Sequence, residues 1–391
     1  MIQKLSEMAA RPSRMVIGLM SGTSLDGLDI ALCRISGSGP DTRVEVLNFD
    51  TIPYRDDFRT EVRSVFSRRD ADLEKVCLLN ASIGRLHAAL INDFLERHGI
   101  APGDVDCIAS HGQTIYHAPR RLHGDERYPD ATLQIGDGDH IAVGTGIITL
   151  SDFRQKHLAG GGEGAPLALY GDYLMFTSPL EDRVLLNMGG ISNFTFLPRD
   201  GNGDRIISTD IGPGNTLIDA LTQQYFGMPY DKDGLIARSG RVREDLLERM
   251  LAHPFFGESL PKTTGPELFN LGFIGSAAGP GGLETIDPRD LVATAAALTA
   301  RSIVQVLEKE YPGAALSLYA SGGGAHNPVI MEEIRRRLPH CTLGRSDDLG
   351  IAGDAKEAVL FAVLANETLC GSMVRIGSAP AVTMGKISLP V

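Results

Sequence analysis

One short plan occurs twice in this chain. Residues 15–20 (MVIGLM) are an apolar run that reads as a buried strand, and a polar glycine turn follows at 21–27 (SGTSLDG). The chain then returns through LDIALCRI and a third extended run near 43–50, with hairpin-like spacing. Residues 183–197 (RVLLNMGGISNFTFL) repeat strand, glycine turn and strand, and RIISTD at 205–210 supplies a third. LMSGTS (19–24) and NMGGIS (187–192) are weakly similar to each other. A duplicated three-stranded opening that leads each time into helices constrains the architecture strongly. It predicts two related α/β domains facing across a cleft. Chance likeness of two glycine turns is the alternative reading.

With 391 residues and about 100–200 residues per domain, two domains are also expected from length. The boundary is placed between 180 and 181, giving domains 1–180 and 181–391, with the last helix able to pack back on the first. Leu79, Ile83, Leu86, Leu90 and Phe94 recur at helical spacing, as do Val292, Ala296, Ala300, Ile303 and Leu307. Residues 105–110 read as a strand ending at His111, and 315–324 as a strand running into a glycine turn. Segments 327–338 and 355–369 read as helices, and 255–289 as loop.

Charge excludes some partners. The chain carries 37 basic and 49 acidic side chains, a formal charge of −12, which argues against nucleic acid or an anionic membrane surface. No run approaches ~20 unbroken apolar residues, so no membrane span is expected. The five cysteines are scattered without a CxxC pair, which favours reduced, buried thiols and a cytoplasmic location.

Three glycine-rich turns stand directly after apparent strands, at 21–27, 189–193 and 322–326. Glycine admits positive φ and lets main-chain N–H groups approach an anion. Polyphosphate held this way needs no large basic patch, which suits an acidic ATP-binding protein. The candidate nucleotide contacts are Gly22, Thr23, Ser24, Leu25, Asp26, Gly27, Leu28 and Asp29 in the first turn, Gly189, Gly190 and Asn193 in the second, and Gly322, Gly323 and Gly324 in the third. A P-loop is absent, because Gly385-Lys386 is followed by Ile387, and a dinucleotide-binding GxGxxG is missing after the first strand.

Read in order, GLMSGTSLDGLDIAL (18–32), SHGQTIYH (110–117), LQIGDG (133–138), SDFR (151–154), GGEGAPLA (161–168), LLNMGGISNFT (185–195), DIGPGN (210–215), ASGGGAHNP (320–328) and DAKEAVLFAVLA (354–365) form one series. It resembles the motif series of the anhydro-N-acetylmuramic acid kinase family over nearly the whole chain. The resemblance implies two actin-like (ribonuclease H-like) domains, each a mixed sheet flanked by helices, with ATP and sugar in the cleft between them. It implies ATP-dependent phosphorylation of 1,6-anhydro-N-acetylmuramic acid with hydrolytic opening of the anhydro ring, in peptidoglycan recycling. Mg²⁺ and a homodimer come with it. The chain departs from the family at Glu163, where Gln is common, in LALYGDY after Pro166, and at Pro266.

Ring opening needs water to attack C1 while O6 leaves to the γ-phosphoryl group, so one carboxylate can take the water proton. Asp210 matches the family's general base; capping the helix that starts near Asn215 is its other reading. Asp152 is the second candidate, with structural pairing to Arg154 the competing role. Asp26 is placed to hold Mg²⁺ through water, or to serve as an Asx-turn residue. Glu357 matches a family residue near the sugar, and Asp354-x-x-Glu357 also reads as a capping box. His111, Gln113, Thr114 and His117 are candidate sugar contacts. Lys262 and Thr264 are further candidates at the nucleotide. A related kinase acting on a free hydroxyl and a non-enzymatic actin-like ATP-binding module remain open.

Overall fold

The computed structural model describes residues 2–377 and 379–391. The chain divides into two compact units, one made of residues up to Thr177 together with Ile351–Val391, the other of Ser178–Gly350.

After a short helix over Ile2–Ala9, the first unit's sheet opens with β1 (Ser13–Ser21), β2 (Gly27–Ser36) and β3 (Arg43–Pro53), an antiparallel meander. The long helix α1 (Leu73–Arg97) follows, its start capped by the Asp72 carboxylate accepting from Lys75 N–H. Next come β4 (Cys107–Ala118), β5 (Ala131–Ile135) and β6 (Thr149–Ser151). β4 lies parallel to β1 on one side and to β6 on the other, and β5 folds back against the far end of β4. β4 therefore does not end at His111 but runs on to Ala118, because β5 supplies a second partner beyond the parallel pairing.

In the second unit β7 (Arg183–Met188), β8 (Ile191–Leu197) and β9 (Ile207–Pro213) form another antiparallel meander. Helix α2 (Thr216–Phe226) follows, then the 23-residue α3 (Pro288–Glu310), β10 (Ser317–Ser321) and β11 (Thr342–Arg345). β10 is parallel to both β7 and β11. The sheet order is β11-β10-β7-β8-β9, and in the first unit the corresponding order is β6-β4-β1-β2-β3. Each unit is thus a three-stranded meander extended by two parallel strands, one mixed-sheet plan built twice.

α3 is apolar nearly all round and long enough by composition to cross a membrane, but it is mostly buried in the second unit's core. The 255–289 segment contains more than loop: Leu271–Ala278 is helical, with Asn270 Oδ1 accepting from Gly272 and Phe273 N–H. After Gly350 the chain re-enters the first unit. Helix α4 (Lys356–Cys370) packs on β1, where a Cβ on Gly18 would lie 1.9 Å from the Ala358 carbonyl oxygen. The chain closes with β12 (Lys386–Ser388), antiparallel to β6. The start of α4 has no side-chain cap, since a 3₁₀ turn over Gly353–Ala355 precedes it; the expected capping box from Asp354 to Glu357 does not form. Of the cysteines, Cys33 and Cys107 are buried, whereas Cys77 is exposed.

Candidate functional site

A polar row crosses four strands of the second unit's sheet. Register pairs Ser321 with Asn187, Asn187 with Asn193, and Asn193 with Asp210, so these four residues of β10, β7, β8 and β9 share one face. β9 continues to Pro213, so Asp210 lies within the strand rather than at its end. Asp210 is half-buried. Its Oδ2 accepts from the Thr264 N–H at 2.9 Å, and its own N–H donates to the Lys262 carbonyl at 3.0 Å. Among the described residues Oδ1 has no hydrogen-bond partner. Burial raises the carboxyl above its ordinary 3.8, while the Thr264 N–H acts in the opposite sense. Asp210 does not cap α2, whose flanking residue is Asn215.

The second and third glycine turns meet beside this row. The Gly189 carbonyl accepts from Asn215 N–H and the Gly190 carbonyl from Gly214 N–H, both at 2.8 Å. Asn215 Nδ2 donates to the Met188 and Gly189 carbonyls. A Cβ on Gly214 would stand 2.2 Å from Gly189 O. Gly322 has φ +78°, and a Cβ there would meet Met188 O at 2.7 Å. These glycines exist because main chain passes against main chain.

Beside Gly323 opens a pocket of ≈ 490 Å³, walled by Asn215, Ile218, Asp219, residues 229–233 (PYDKD), His326 and Asn327. Asp231 is buried and fixes this wall by accepting from the Ile236 and Ala237 N–H groups. Burial pushes the Asp219 carboxyl up to about 6. The sequence reading missed this pocket. Of its wall only Gly323 belongs to a glycine cluster, and the remaining local sign is the turn-like PYDKDG.

Lys262 is not a solvated lysine. It is 8% exposed, its ammonium donates to the Phe255 carbonyl at 2.8 Å, and it stands 4.2 Å from the Phe255 ring centre. Its side chain is occupied within the core, and burial lowers its pKa. The Thr264 hydroxyl oxygen is buried without a partner.

In the first unit, the turn at 21–27 is partly inward-facing. Leu25, Gly27 and Leu28 are buried, while Thr23, Ser24 and Asp26 are exposed. Leu25 takes φ +59°, a costly conformation for a non-glycine residue. Its side chain is held in a cluster with Val62, Val65, Leu79 and Ile83, which compensates. Asp29 accepts from Thr51 Oγ1 at 2.6 Å, and its pKa is raised by burial and by the negative charges of Asp354 and Asp26.

Arg154 connects several sugar-side candidates. Its Nε donates to His111 Nε2 at 3.1 Å and a terminal nitrogen to the Gly164 carbonyl at 2.8 Å. Burial and the Arg154 charge push His111 down to about 3, so the ring is neutral. The same two causes, with Arg121, lower His117. Glu357 is raised by loss of water and by Asp29, with Arg154 acting against this. Thr114 accepts from Gln134 Nε2 at 3.2 Å. Gln113 is fully buried and bonded within the unit. Asp152 pairs with Lys386, not with Arg154, because its backbone turns at φ +56° and β12 brings the lysine alongside. Arg154 was singled out in the sequence only as a partner for Asp152.

A family model described as anhydro-N-acetylmuramic acid kinase matches residues 14–388. Curated proteins of that name are similar along their whole lengths. The protein of Pseudoalteromonas atlantica is 51% identical, covering 100% of this chain and 99% of its own. That of Pseudoalteromonas translucida is 47% identical (99% and 98% covered), and that of Caldanaerobacter subterraneus 40% identical (99% and 100%).

Proposed function

This chain belongs to the anhydro-N-acetylmuramic acid kinase family, and we propose that it transfers the γ-phosphoryl group of ATP to O6 of 1,6-anhydro-N-acetylmuramic acid while water opens the anhydro ring. The products are N-acetylmuramic acid 6-phosphate and ADP, as cell-wall recycling in the cytoplasm requires. The observation that carries this reading is Asp210: half-buried, held through Oδ2 by a main-chain N–H, with Oδ1 unpartnered.

Asp210 takes the proton of the attacking water. C1 gains the water oxygen as the C1–O6 bond breaks, and O6 forms its new bond to phosphorus, so no protein acid is needed for the leaving oxygen. The Thr264 N–H fixes one carboxylate oxygen and leaves the other to orient water. Main-chain N–H groups of the glycine turns meet the phosphates, and the pocket beside Gly323 takes the nucleoside. His111 is neutral and clamped by Arg154, so the pair is set to hold the sugar without changing charge. Half-buried Arg154 is the cation for the sugar's carboxylate. Asp152, paired to Lys386, supports the site rather than reacting.

Magnesium would come with the nucleotide. Among the described residues no group of three or more ligating side chains could hold a metal alone, which fits a cation that keeps its waters and phosphate oxygens and takes only one or two carboxylates. Asp26 is exposed at the turn, and Asp29 already feels its charge and that of Asp354, so a cation here relieves repulsion. When bound, the ion neutralises phosphate charge. A homodimer is part of this proposal on family grounds; sedimentation of the purified protein tests it.

Asp210→Asn tests the core assignment. Product formation should fall roughly 10²–10⁴-fold with ATP affinity retained. Normal turnover in that variant would refute the role.

A further inference from the structure

Beneath the first glycine turn lies a chain of buried polar side chains that the mechanism above does not use. Tyr54 Oη lies 2.9 Å from Ser21 Oγ and 2.9 Å from His87 Nε2. Ser21 Oγ lies 2.6 Å from Gln113 Oε1, and Gln113 Nε2 reaches the Gly22 and Thr114 carbonyls at 3.4 and 3.3 Å. His87 and Gln113 are 0% exposed, Ser21 2% and Tyr54 7%.

We propose that this chain, running one way from His87 through Tyr54 and Ser21 to Gln113, sets the direction in which the turn presents the Thr23 N–H, making Tyr54 and Gln113 positioning residues for the nucleotide. The inference rests on the reading of that turn as a phosphate site.

The polarity of the chain is forced. The two carbonyls beside Gln113 can only accept, so the amide nitrogen faces them and Oε1 faces Ser21. Oε1 cannot donate, so Ser21 gives its one hydroxyl hydrogen to it. Ser21 then accepts from Tyr54, and Tyr54 must accept from His87 Nε2–H. This tautomer leaves His87 Nδ1 bare, and that atom is buried without a partner. Burial lowers His87 to about 4, consistent with a neutral ring. A chain with no freedom to reverse holds its last member in one orientation.

That last member holds a carbonyl. The Gly22 oxygen accepts from Gln113 Nε2 inside the fold and from Leu25 N–H at 3.3 Å across the turn. Across a trans peptide the N–H points opposite to the C=O. With Gly22 C=O held inward, the N–H of exposed Thr23 points outward, where an anion can meet it. Without the chain the Gly22 oxygen keeps only the Leu25 N–H, so the Gly22–Thr23 peptide is held less firmly and the donor is presented a smaller part of the time.

Two variants test this. Tyr54→Phe keeps the ring and removes the hydroxyl; Gln113→Met keeps length and removes the amide. In variants that remain folded by circular dichroism, ATP affinity by calorimetry and KM for ATP should weaken roughly three- to tenfold, the range of one ordinary hydrogen bond. KM for the anhydro sugar should stay within about twofold. A merely structural role would lower the melting temperature without separating the two substrates. Should only Tyr54→Phe fold, it decides alone. ATP affinity equal to wild type, or equal losses for ATP and sugar, overturns the proposal while sparing the assigned function. A wild-type protein that binds no ATP would overturn both.

Discussion

At the scale of the residue, the molecule sets charge by burial more than by partners. Asp210 is raised by desolvation, and a base works only when ionised, so its active fraction is lost as pH falls through that raised value. The acid limb of kcat/KM against pH, which reports the free enzyme, should therefore fall above the ordinary 3.8 of an aspartate. A limb at or below that value would mean that another group acts as base. Lys262 makes a contrasting case. Its ammonium is satisfied by the Phe255 carbonyl and ring, so Lys262→Met should destabilise by about 1–3 kcal/mol in denaturant melts and leave KM for ATP within about twofold. A large rise in KM without loss of stability would return the lysine to the nucleotide. Sequence alone singled out Asp210 and His111 as candidates through their motifs. It could not show which lysines are solvated, because Phe255 meets Lys262 only through tertiary packing.

At the scale of the element, the glycine turns are close-packed parts. Gly189 and Gly190 offer their carbonyls to the start of α2, and Gly322 nests against Met188. Gly214→Ala places a Cβ 2.2 Å from a carbonyl oxygen, so stability should fall by about 2–4 kcal/mol, and ATP binding should fall with it. Retention of both would show that the turns can separate cheaply. The turns were legible because glycine clusters interrupt the chain directly after apolar runs at three places, although one such cluster alone reads as an ordinary hairpin turn. Strand ends were less legible. β4 carries polar HGQT through its middle, which reads locally as an ending, yet β5 pairs with it as far as Ala118. Asp152 found Lys386 rather than Arg154, a partner 234 residues away that no local pattern shows. Likewise, Asp354 and Glu357 have capping-box spacing, but Asp354 lies inside a 3₁₀ turn over Gly353–Ala355 and Ala355, not Asp354, flanks the helix.

At the scale of the whole molecule, one plan of a meander plus two parallel strands is used twice, and the repeated openings in the sequence already implied this. The return of 351–391 is the asymmetric part. α4 covers β1, with Ala358 O against Gly18, and β12 completes the edge beyond β6. Ending the chain after Gly350 should thus expose the apolar face of β1 and unfold the first unit while the second keeps its core. Limited proteolysis would show a surviving fragment near 178–350; equal protection of both units would contradict this.

The reaction itself admits a direct test. The protein is incubated with ATP, Mg²⁺ and 1,6-anhydro-N-acetylmuramic acid in ¹⁸O-water, and the products are weighed by mass spectrometry. The account predicts ADP and N-acetylmuramic acid 6-phosphate carrying the heavy oxygen at C1. A phosphorylated sugar with its anhydro ring intact, or a ring-opened product without label at C1, would contradict it.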